Sequence, residues 1–401
     1  MDRTVVIVAT TAVLLIGGAA GVYFYFFTGN DNVTVSPTGN ATLPGAGQAT
    51  DSGSPGSNTI SGGAVGEPIK VSSRLVQIDQ GPIVPGEAIS IVPAANASSS
   101  PDLGVHYIKR ENGNVFLYRI KAGTLTRTSN KTVPGIQRAV WLPDASAAIV
   151  QFLSGTDFNT INTYRLSADG SNGAMMAGNI VEVQTGPSGI LSLTSNANGS
   201  VGTISSLDGS KSSRAFSTPL GSIRTQIVGD TYLITTKASG TLPGNAFAVS
   251  TDGTVRHVFG PQKGLSALSS PSGKWLLVSH VDGPALRLEL LNTATGAITQ
   301  LPLSTLADKC VWTADESSAY CGVPVSINTT YLYPDDWYQG AAHFADRIWK
   351  IDVKGRYASL VLDFSKETKS DLDATALAVD VNDQNLVFLN KNDGSLWAYQ
   401  L

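Results

Sequence analysis

The residues best suited to chemistry or recognition in this 401-residue sequence lie in one segment, residues 324–345. Aromatic residues make up 7% of the chain, yet these 22 residues contain five of them, with two adjacent carboxylates and a histidine. Exposed rings with polar neighbours are typical of a binding hot spot, because a ring buries much area at small entropic cost. We therefore expect these contact residues: Tyr331, Tyr333, Asp335, Asp336, Trp337, Tyr338, His343 and Phe344.

The segment has two other interpretations. Trp337 and Phe344 would instead pack into the rim of the fold, and the segment would then be a structural cover. Asp335 and Asp336 would in principle form an acid–base pair. The side chains of adjacent residues usually diverge, however, and Asp-Asp after proline is common in turns, so we predict no catalytic residue here.

No other motif in the sequence indicates an enzyme or a metal site. It contains no Gly-x-Ser-x-Gly elbow, no P-loop and no dinucleotide-binding glycine pattern. The four histidines are far apart, and none has the spacing of metal ligands. Residues 380–385 resemble a calcium loop only faintly, because the mid-loop glycine and the distal glutamate are missing. We therefore predict no cofactor and no metal.

Tight turns recur along the chain, and residues 269–279 show their form: a Pro-Ser-Gly turn followed by an apolar strand. The turn proline, or the residue aligned with it, is Pro101, Pro143, Pro187, Gly229, Pro271, Ala314 and Asn382. Successive markers are 42, 44, 42, 42, 43 and 68 residues apart. A period of about 40–45 residues with four short strands is typical of a β-propeller. The pattern predicts an all-β, seven-bladed β-propeller over residues 69–401.

The turn phrases resemble the WD40-like, TolB-type propeller repeats of bacteria, which carry a Ser-Pro-Asp-Gly-Lys turn before a buried strand. The matching phrases are residues 270–274, 141–144, 312–315 and 393–397. The resemblance covers roughly residues 69–401 and concerns the fold alone, which many functions share. An all-β sandwich with coincidental spacing is the alternative.

Strand pairing leads to two further expectations. The seventh blade has three strand-like runs of its own, so we expect residues 69–79 to pair with residues 395–401 and close the ring. Cys310 and Cys321 lie at equal distances from the turn at Asp315 and Glu316, and therefore face each other across a hairpin. A disulfide between them is expected outside the cytoplasm, and two buried thiols are the alternative.

The amino-terminal residues differ in composition from the rest. The segment from Thr4 to Phe27 is uncharged and, at ~1.5 Å per residue, long enough to cross a ~30 Å hydrocarbon core as a transmembrane helix. No Lys or Arg follows until Lys70, so the positive-inside rule places the amino end in the cytoplasm. A signal peptide cleaved near Ala20 is the alternative. Residues 28–68, rich in Gly, Ser, Thr and Pro, are expected to be a disordered linker.

These features predict a single-pass plasma membrane protein. Residues 1–27 form the anchor, 28–68 the linker, and 69–401 the propeller outside the cytoplasm. A net charge of −4 provides no basic field for nucleic acid. The predicted function is non-catalytic: a binding or scaffold module for an envelope protein or glycan. The alternative is an extracytoplasmic hydrolase or lyase, which requires carboxylates, His or Arg from several blades facing the central channel.

Overall fold

The computed structural model describes residues 66–94 and 100–401, which form 29 β-strands and two short α-helices. The strands form seven antiparallel sheets, six with four strands and one with five. In each blade the first strand is innermost, and the first strands of several neighbouring blades contact one another. The predicted all-β, seven-bladed propeller is confirmed.

The amino-terminal predictions fall largely outside this description. The chain separates into two units, Met1–Gly63 and Ala64–Leu401, and the propeller belongs to the second. The predicted membrane span, from Thr4 to Phe27, and residues 28–65 of the predicted linker lie outside the described residues. Within residues 66–94 and 100–401, no helix has the length and apolar character needed to cross a membrane.

Six blades contain four consecutive strands each. Blades one and two consist of β3 (Ala88–Val92), β4 (Asp102–Ile108), β5 (Val115–Arg119), β6 (Thr124–Arg127), β7 (Ile136–Trp141), β8 (Ala147–Ser154), β9 (Thr160–Ser167) and β10 (Gly173–Met175). Blades three and four consist of β11 (Ile180–Gly186), β12 (Gly189–Asn196), β13 (Gly199–Ser205), β14 (Ser212–Thr218), β15 (Ile223–Val228), β16 (Thr231–Thr236), β17 (Pro243–Val249) and β18 (Val255–Lys263). Blades five and six consist of β19 (Ser266–Ser269), β20 (Trp275–Asp282), β21 (Ala285–Asn292), β22 (Ile298–Gln300), β23 (Cys310–Trp312), β24 (Ser318–Pro324), β25 (Asp346–Asp352) and β26 (Tyr357–Asp363).

Blade seven is closed by strands from before blade one. Its strands are β27 (Ala374–Val379), β28 (Asn385–Asn390), β29 (Leu396–Gln400), β2 (Leu75–Asp79) and β1 (Ile69–Lys70). β2 pairs antiparallel with β29, which places Leu75 opposite Tyr399, and β1 lies outside β2. The predicted closure is confirmed, with one difference. Residues 69–79 form two strands rather than one, because the amides of Val71 and Ser72 both donate to the carbonyl of Leu75 and turn the chain.

The repeat markers Pro143 and Pro271 lie in turns of the same conformation. The amide of Gly273 donates to the carbonyl of Ser270 at 2.9 Å, and Ala145 makes the same bond to Leu142 at 2.8 Å. Gly273 has φ 78°, the left-handed region that glycine adopts most easily, and Ala145 adopts φ 55° at the equivalent position. The marker therefore reports a turn between the first and second strands of a blade, and its spacing reports the blade length.

One hydrophobic cluster lies between each pair of neighbouring blades, including blades seven and one. The second strands contribute strongly, since all seven residues of β24 and all six of β28 are buried. A strand covered by neighbouring blades on both faces must be apolar on both, which explains these continuous apolar runs. Each buried Val, Leu or Ile contributes about 1.5–3 kcal/mol, so the interfaces between blades hold the ring together.

The two cysteines lie in the cluster between blades five and six. Cys310 on β23 is directly opposite Cys321 on β24, with the Cα atoms 4.1 Å apart and the sulfur atoms bonded at 2.09 Å. The bridge joins residues 11 positions apart, so restricting the unfolded chain contributes only about 2–3 kcal/mol. It therefore adds to the stability of one hairpin that the core already covers.

The closure strand leads us to expect a contrast between two nearby positions. Leu75 on β2 is fully buried between blades six and seven, whereas Ile69 on β1 is 43% exposed. Leu75→Ala should lower the free energy of unfolding by about 2–5 kcal/mol, because it leaves a cavity at the closure. Ile69→Ala should lower it by less than about 1 kcal/mol. Chemical denaturation measures both, and equal effects would contradict closure by β2.

Candidate functional site

A long segment between β24 and β25 covers part of one face of the propeller. We call residues 325–345 the insert. The insert face is the side that carries the loops between second and third strands and the connections between blades. The insert contains α1 (Asp335–Gln339) and reaches blade four. A Cβ atom at Gly240 would lie 2.6 Å from both the Leu332 Cδ1 and the Tyr333 carbonyl oxygen, so this close approach requires glycine.

Three of the predicted contact residues are buried. Tyr333, Trp337 and Phe344 expose only 5%, 4% and 3% of their surface. The Phe344 ring stacks against both others, with centroid distances of 5.4 Å to Tyr333 and 6.2 Å to Trp337. The cluster packs on Leu286 of blade five and on Leu306. These three rings hold the insert on the propeller, as the structural-cover interpretation describes.

A buried salt bridge holds the insert on the propeller. Lys309 is fully buried, and its Nζ lies 2.8 Å from Asp346 Oδ2 and also donates to Asp373. Asp373 accepts two more hydrogen bonds, from Trp337 Nε1 at 2.9 Å and from the Phe344 amide at 3.1 Å. The ammonium also lies 5.1 Å and 5.0 Å from the Trp337 and Phe344 ring centroids, a favourable cation–π geometry. We call Lys309, Asp346 and Asp373 the anchor.

The anchor contains two carboxylates and one ammonium. Burial raises the pKa of Asp346 to about 6, with Lys309 opposing the rise and Asp373 adding to it. The folded protein therefore holds this proton more tightly than the unfolded chain does. This carboxyl group contributes stability at low pH that is lost as the pH rises through about 6. Removing one partner of such a buried contact is costly, because it leaves an uncompensated charge.

Asp335 and Asp336 make separate hydrogen bonds to the backbone. Asp335 Oδ2 accepts from the Gly240 amide at 2.5 Å, which ties the insert to blade four. Asp336 Oδ2 accepts from the Leu332 amide at 2.7 Å, which closes the turn before α1. The two carboxylates thus stabilise the shape of the insert. Five predicted residues keep exposed surface: Tyr331 and His343 are exposed, and Asp335, Asp336 and Tyr338 are half-buried.

Tyr338 lines a polar pocket at the mouth of the central channel. The pocket has a volume of about 380 Å³ and lies among the first strands of blades two to six, near the ends that open on the insert face. We call it the channel-mouth pocket. Its ionisable side chains are Arg138, Glu182, Arg224, Asp308 and Tyr338. Carboxylates and arginines from several blades therefore face the channel mouth.

Asp308 is the most strongly bonded acid of the pocket. Arg224 Nη1 lies 2.6 Å from Asp308 Oδ1, while Tyr338 donates its hydroxyl proton to Oδ2 at 2.7 Å and Ser266 donates there as well. The Arg224 guanidinium carbon lies 4.9 Å from the Tyr338 ring centroid. Burial, and then the charge of Asp308, raises the pKa of Tyr338 well above its usual value. The phenol is therefore protonated at neutral pH and acts as a donor.

Glu182 and Arg138 form the other half of the pocket. Glu182 Oε2 accepts from the backbone amide and the hydroxyl of Thr225, at 2.8 Å and 3.2 Å. Arg138 Nη1 lies 4.0 Å from Glu182 Oε1, which is too long for a hydrogen bond. Burial lowers the pKa of Arg138, with Glu182 opposing this and Arg224 reinforcing it. Arginine nevertheless stays charged at neutral pH.

No sequence motif points to these charged residues, but the repeat contains a signal. Arg138, Glu182 and Arg224 each lie five residues before the turn marker of their blade, and Ser266 and Lys309 occupy the same position in blades five and six. This position lies on, or just before, the innermost strand, which is known only once the strand order is known. β-bulges shift the register beside Arg138 and Glu182, and bulges commonly redirect side chains next to sites.

The described residues contain no grouping suited to a metal ion. Across residues 66–94 and 100–401, no three His, Cys, Asp or Glu side chains are close enough together to hold one. The carboxylate of Asp380 accepts from the amides of Asn382, Gln384 and Asn385, at 2.8, 3.2 and 2.6 Å. The segment that resembles a calcium loop is therefore the turn of blade seven.

A larger groove, of about 850 Å³, lies between blades seven and one on the face opposite the insert. Two of its three basic side chains, Arg74 and Lys121, already have partners. Arg74 Nε donates to the Gln400 carbonyl at 2.7 Å, and its guanidinium carbon lies 4.7 Å from the Tyr399 ring centroid. Lys121 donates to Ser100 at 3.0 Å. The channel-mouth pocket is therefore the better candidate site, although it is smaller.

No protein-family model matches the sequence, and a search of curated proteins finds no match. Among solved structures, an oligogalacturonate lyase in complex with manganese has a TM-score of 0.52 at 11% identity, covering 83% of this chain and 95% of that chain. A virginiamycin B lyase from Staphylococcus aureus has a TM-score of 0.50 at 13% identity, covering 80% and 96%. TolB from Acinetobacter baumannii has a TM-score of 0.43 at 12% identity, covering 80% of each chain.

At such low identity these likenesses concern the fold alone. The strand order shows a seven-bladed β-propeller whose channel mouth is polar and partly covered by an insert. The strand order also confirms the propeller fold that the resemblance of the turn phrases implied. The chemistry of the site has to be argued from this chain's own residues.

The burial of Trp337 leads to a prediction about stability. Trp337→Phe keeps an aromatic ring but removes the hydrogen-bond donor to buried Asp373. The free energy of unfolding should fall by about 1–3 kcal/mol, because the carboxylate loses a partner. Tyr331→Phe, at a residue that is 38% exposed, is the control and should change it by less than about 0.5 kcal/mol. If chemical denaturation shows an equally small change in the free energy of unfolding for both variants, Trp337 does not hold the insert in place.

Proposed function

We propose that this protein is a membrane-anchored, extracytoplasmic β-propeller that acts as a non-catalytic binding module for an envelope protein or glycan. The observation that carries the proposal is the channel-mouth pocket, where charged side chains from blades two, three, four and six meet Tyr338 of the insert. Polar groups that converge in a concave site are typical of ligand recognition. The segment from Thr4 to Phe27 would hold the protein in the membrane, and residues 28–68 would tether the propeller.

The hydrogen bonding of the pocket supports a non-catalytic role. Asp308 accepts hydrogen bonds from Arg224, Ser266 and Tyr338. Glu182 accepts one from the Thr225 amide. Both carboxylates already have hydrogen-bond donors, which does not favour a role as general base. Tyr338 donates to Asp308 and has a raised pKa, which makes it a poor base at neutral pH. A binding site needs only fixed donors and acceptors, and the pocket supplies both. The net charge of −4 does not favour nucleic acid as the partner.

An extracytoplasmic hydrolase or lyase is the second candidate function. One observation favours it: carboxylates and arginines from several blades line the channel mouth, as a reaction at that place would require. The two candidates differ in the fate of the ligand. A binding module releases its ligand unchanged, whereas a hydrolase or lyase releases fragments.

The proposed binding function implies that a partner contacts the insert face. We suggest replacing Tyr331, 38% exposed on the insert, by the photo-crosslinking residue p-benzoylphenylalanine in the full chain, in the cells that produce it. Illumination should give a discrete adduct with a protein or glycan. The same replacement at Tyr357, 57% exposed on the outer strand β26, is the matched control and should give none. Absence of an adduct at position 331, or identical adducts at both positions, would count against the proposal.

A further inference from the structure

The two carboxylates of the channel-mouth pocket already accept hydrogen bonds, whereas Arg138 keeps unused donors. Asp308 and Glu182 accept hydrogen bonds from neighbouring side chains and backbone. An arginine carries five N–H donors. Arg138 makes no side-chain hydrogen bond to any residue of 66–94 or 100–401, and the carboxylate it approaches is 4.0 Å away. A ligand that complements this pocket must therefore supply acceptors.

The charge that a ligand meets in the pocket is positive. Arg138 and Arg224 have side chains that are 42% and 41% exposed, whereas those of Glu182 and Asp308 are 10% and 22% exposed. The two acids are thus more buried than the two arginines, so the side-chain surface that a ligand can reach is more cationic than the total of two positive and two negative charges suggests. A planar guanidinium matches a carboxylate in a two-point contact, which adds specificity as well as energy.

We propose that the channel-mouth pocket binds a carboxylate carried by an acidic segment of a partner protein. Arg138 is the principal ligand of the carboxylate, through its unpaired N–H donors, and Arg224 is the second. Tyr338 stacks against Arg224 and limits the movement of its guanidinium. This assignment rests on the proposed binding function and specifies the ligand of the same site.

The surroundings of the pocket favour a protein over a glycan. Leu332 and Tyr331 on the insert are 42% and 38% exposed, and Leu242 of blade four is 68% exposed. Gly240, two residues before Leu242, lies against Leu332, so blade four and the insert meet beside these exposed side chains. An exposed apolar patch with a polar neighbourhood is typical of a protein interface. Sugars pack on exposed aromatic faces, whereas three of the five insert rings are buried.

The test measures the rate at which p-hydroxyphenylglyoxal modifies individual arginines of the full chain, followed by mass spectrometry of the peptides. The probe is N-acetyl-L-glutamate α-amide, added at constant ionic strength. A bound carboxylate should slow the modification of Arg138 and Arg224 at least threefold at saturation. Arg214, which is exposed on the outer strand β14, is the internal control and should react at an unchanged rate.

Two further comparisons make the assignment specific. N-acetyl-L-glutamine α-amide has the same shape without the charge and should protect neither arginine. Arg138→Gln, which breaks no hydrogen bond between described residues, should raise the glutamate concentration that half-protects Arg224 at least fivefold. Equal protection by the two probes, or unchanged protection in Arg138→Gln, would overturn the carboxylate site. Protection by D-glucuronate at lower concentration than by the glutamate probe would overturn the choice of protein over glycan.

The arginine-protection measurement and the crosslinking measurement test different claims, so either one can fail without the other. Protection of the arginines without an adduct at position 331 would support the carboxylate site and reject the insert face as the place where the partner binds. An adduct without protection would support a partner on the insert face and reject the carboxylate site.

Discussion

The candidate site depends on the buried contact of Lys309 with Asp346 and Asp373. The lysine precedes β23, Asp346 begins β25, and Asp373 precedes β27, so the contact joins blade six to blade seven. Asp373 also holds the Trp337 indole and the Phe344 amide, and the same charge therefore fixes the insert over the channel mouth. Burying three charges is costly, and the cost is offset only while every partner is in place.

The propeller provides the rigid frame in which this contact is maintained. Clusters between all neighbouring blades, together with the pairing of β2 with β29, hold each first strand beside the channel. The insert packs on blade five, touches blade four at Gly240, and brings Tyr338 to Asp308. Arg138, Glu182 and Arg224 lie on strands, where side chains are positioned more firmly than on free loops. This suits a recognition site that must exist before its ligand arrives.

The sequence predicts the fold well because short turns recur at a nearly constant spacing, and a turn is encoded by adjacent residues. The closing strand and the position of the insert follow from counting strands. Burial within the insert cannot be predicted in this way. Trp337 and Phe344 are held in place by hydrogen bonds to Asp373, which lies about 30 residues away in sequence. Likewise Arg138 and Arg224 belong to separate blades, and only the closed ring brings them into one pocket. Contact through Tyr331, Asp335, Asp336, Tyr338 and His343 stays a prediction.

Hydrogen exchange in an Asp373→Asn variant is the most direct test of the anchor, which is central to this description of the site. The substitution keeps the shape of the side chain and removes the charge that faces Lys309. We predict that the amides of residues 336–344 exchange at least tenfold faster, a loss of about 1.4 kcal/mol or more of local stability, while blades one to three keep their protection. Unchanged exchange in the insert, or equal loss of protection in every blade, would contradict the role assigned to the anchor.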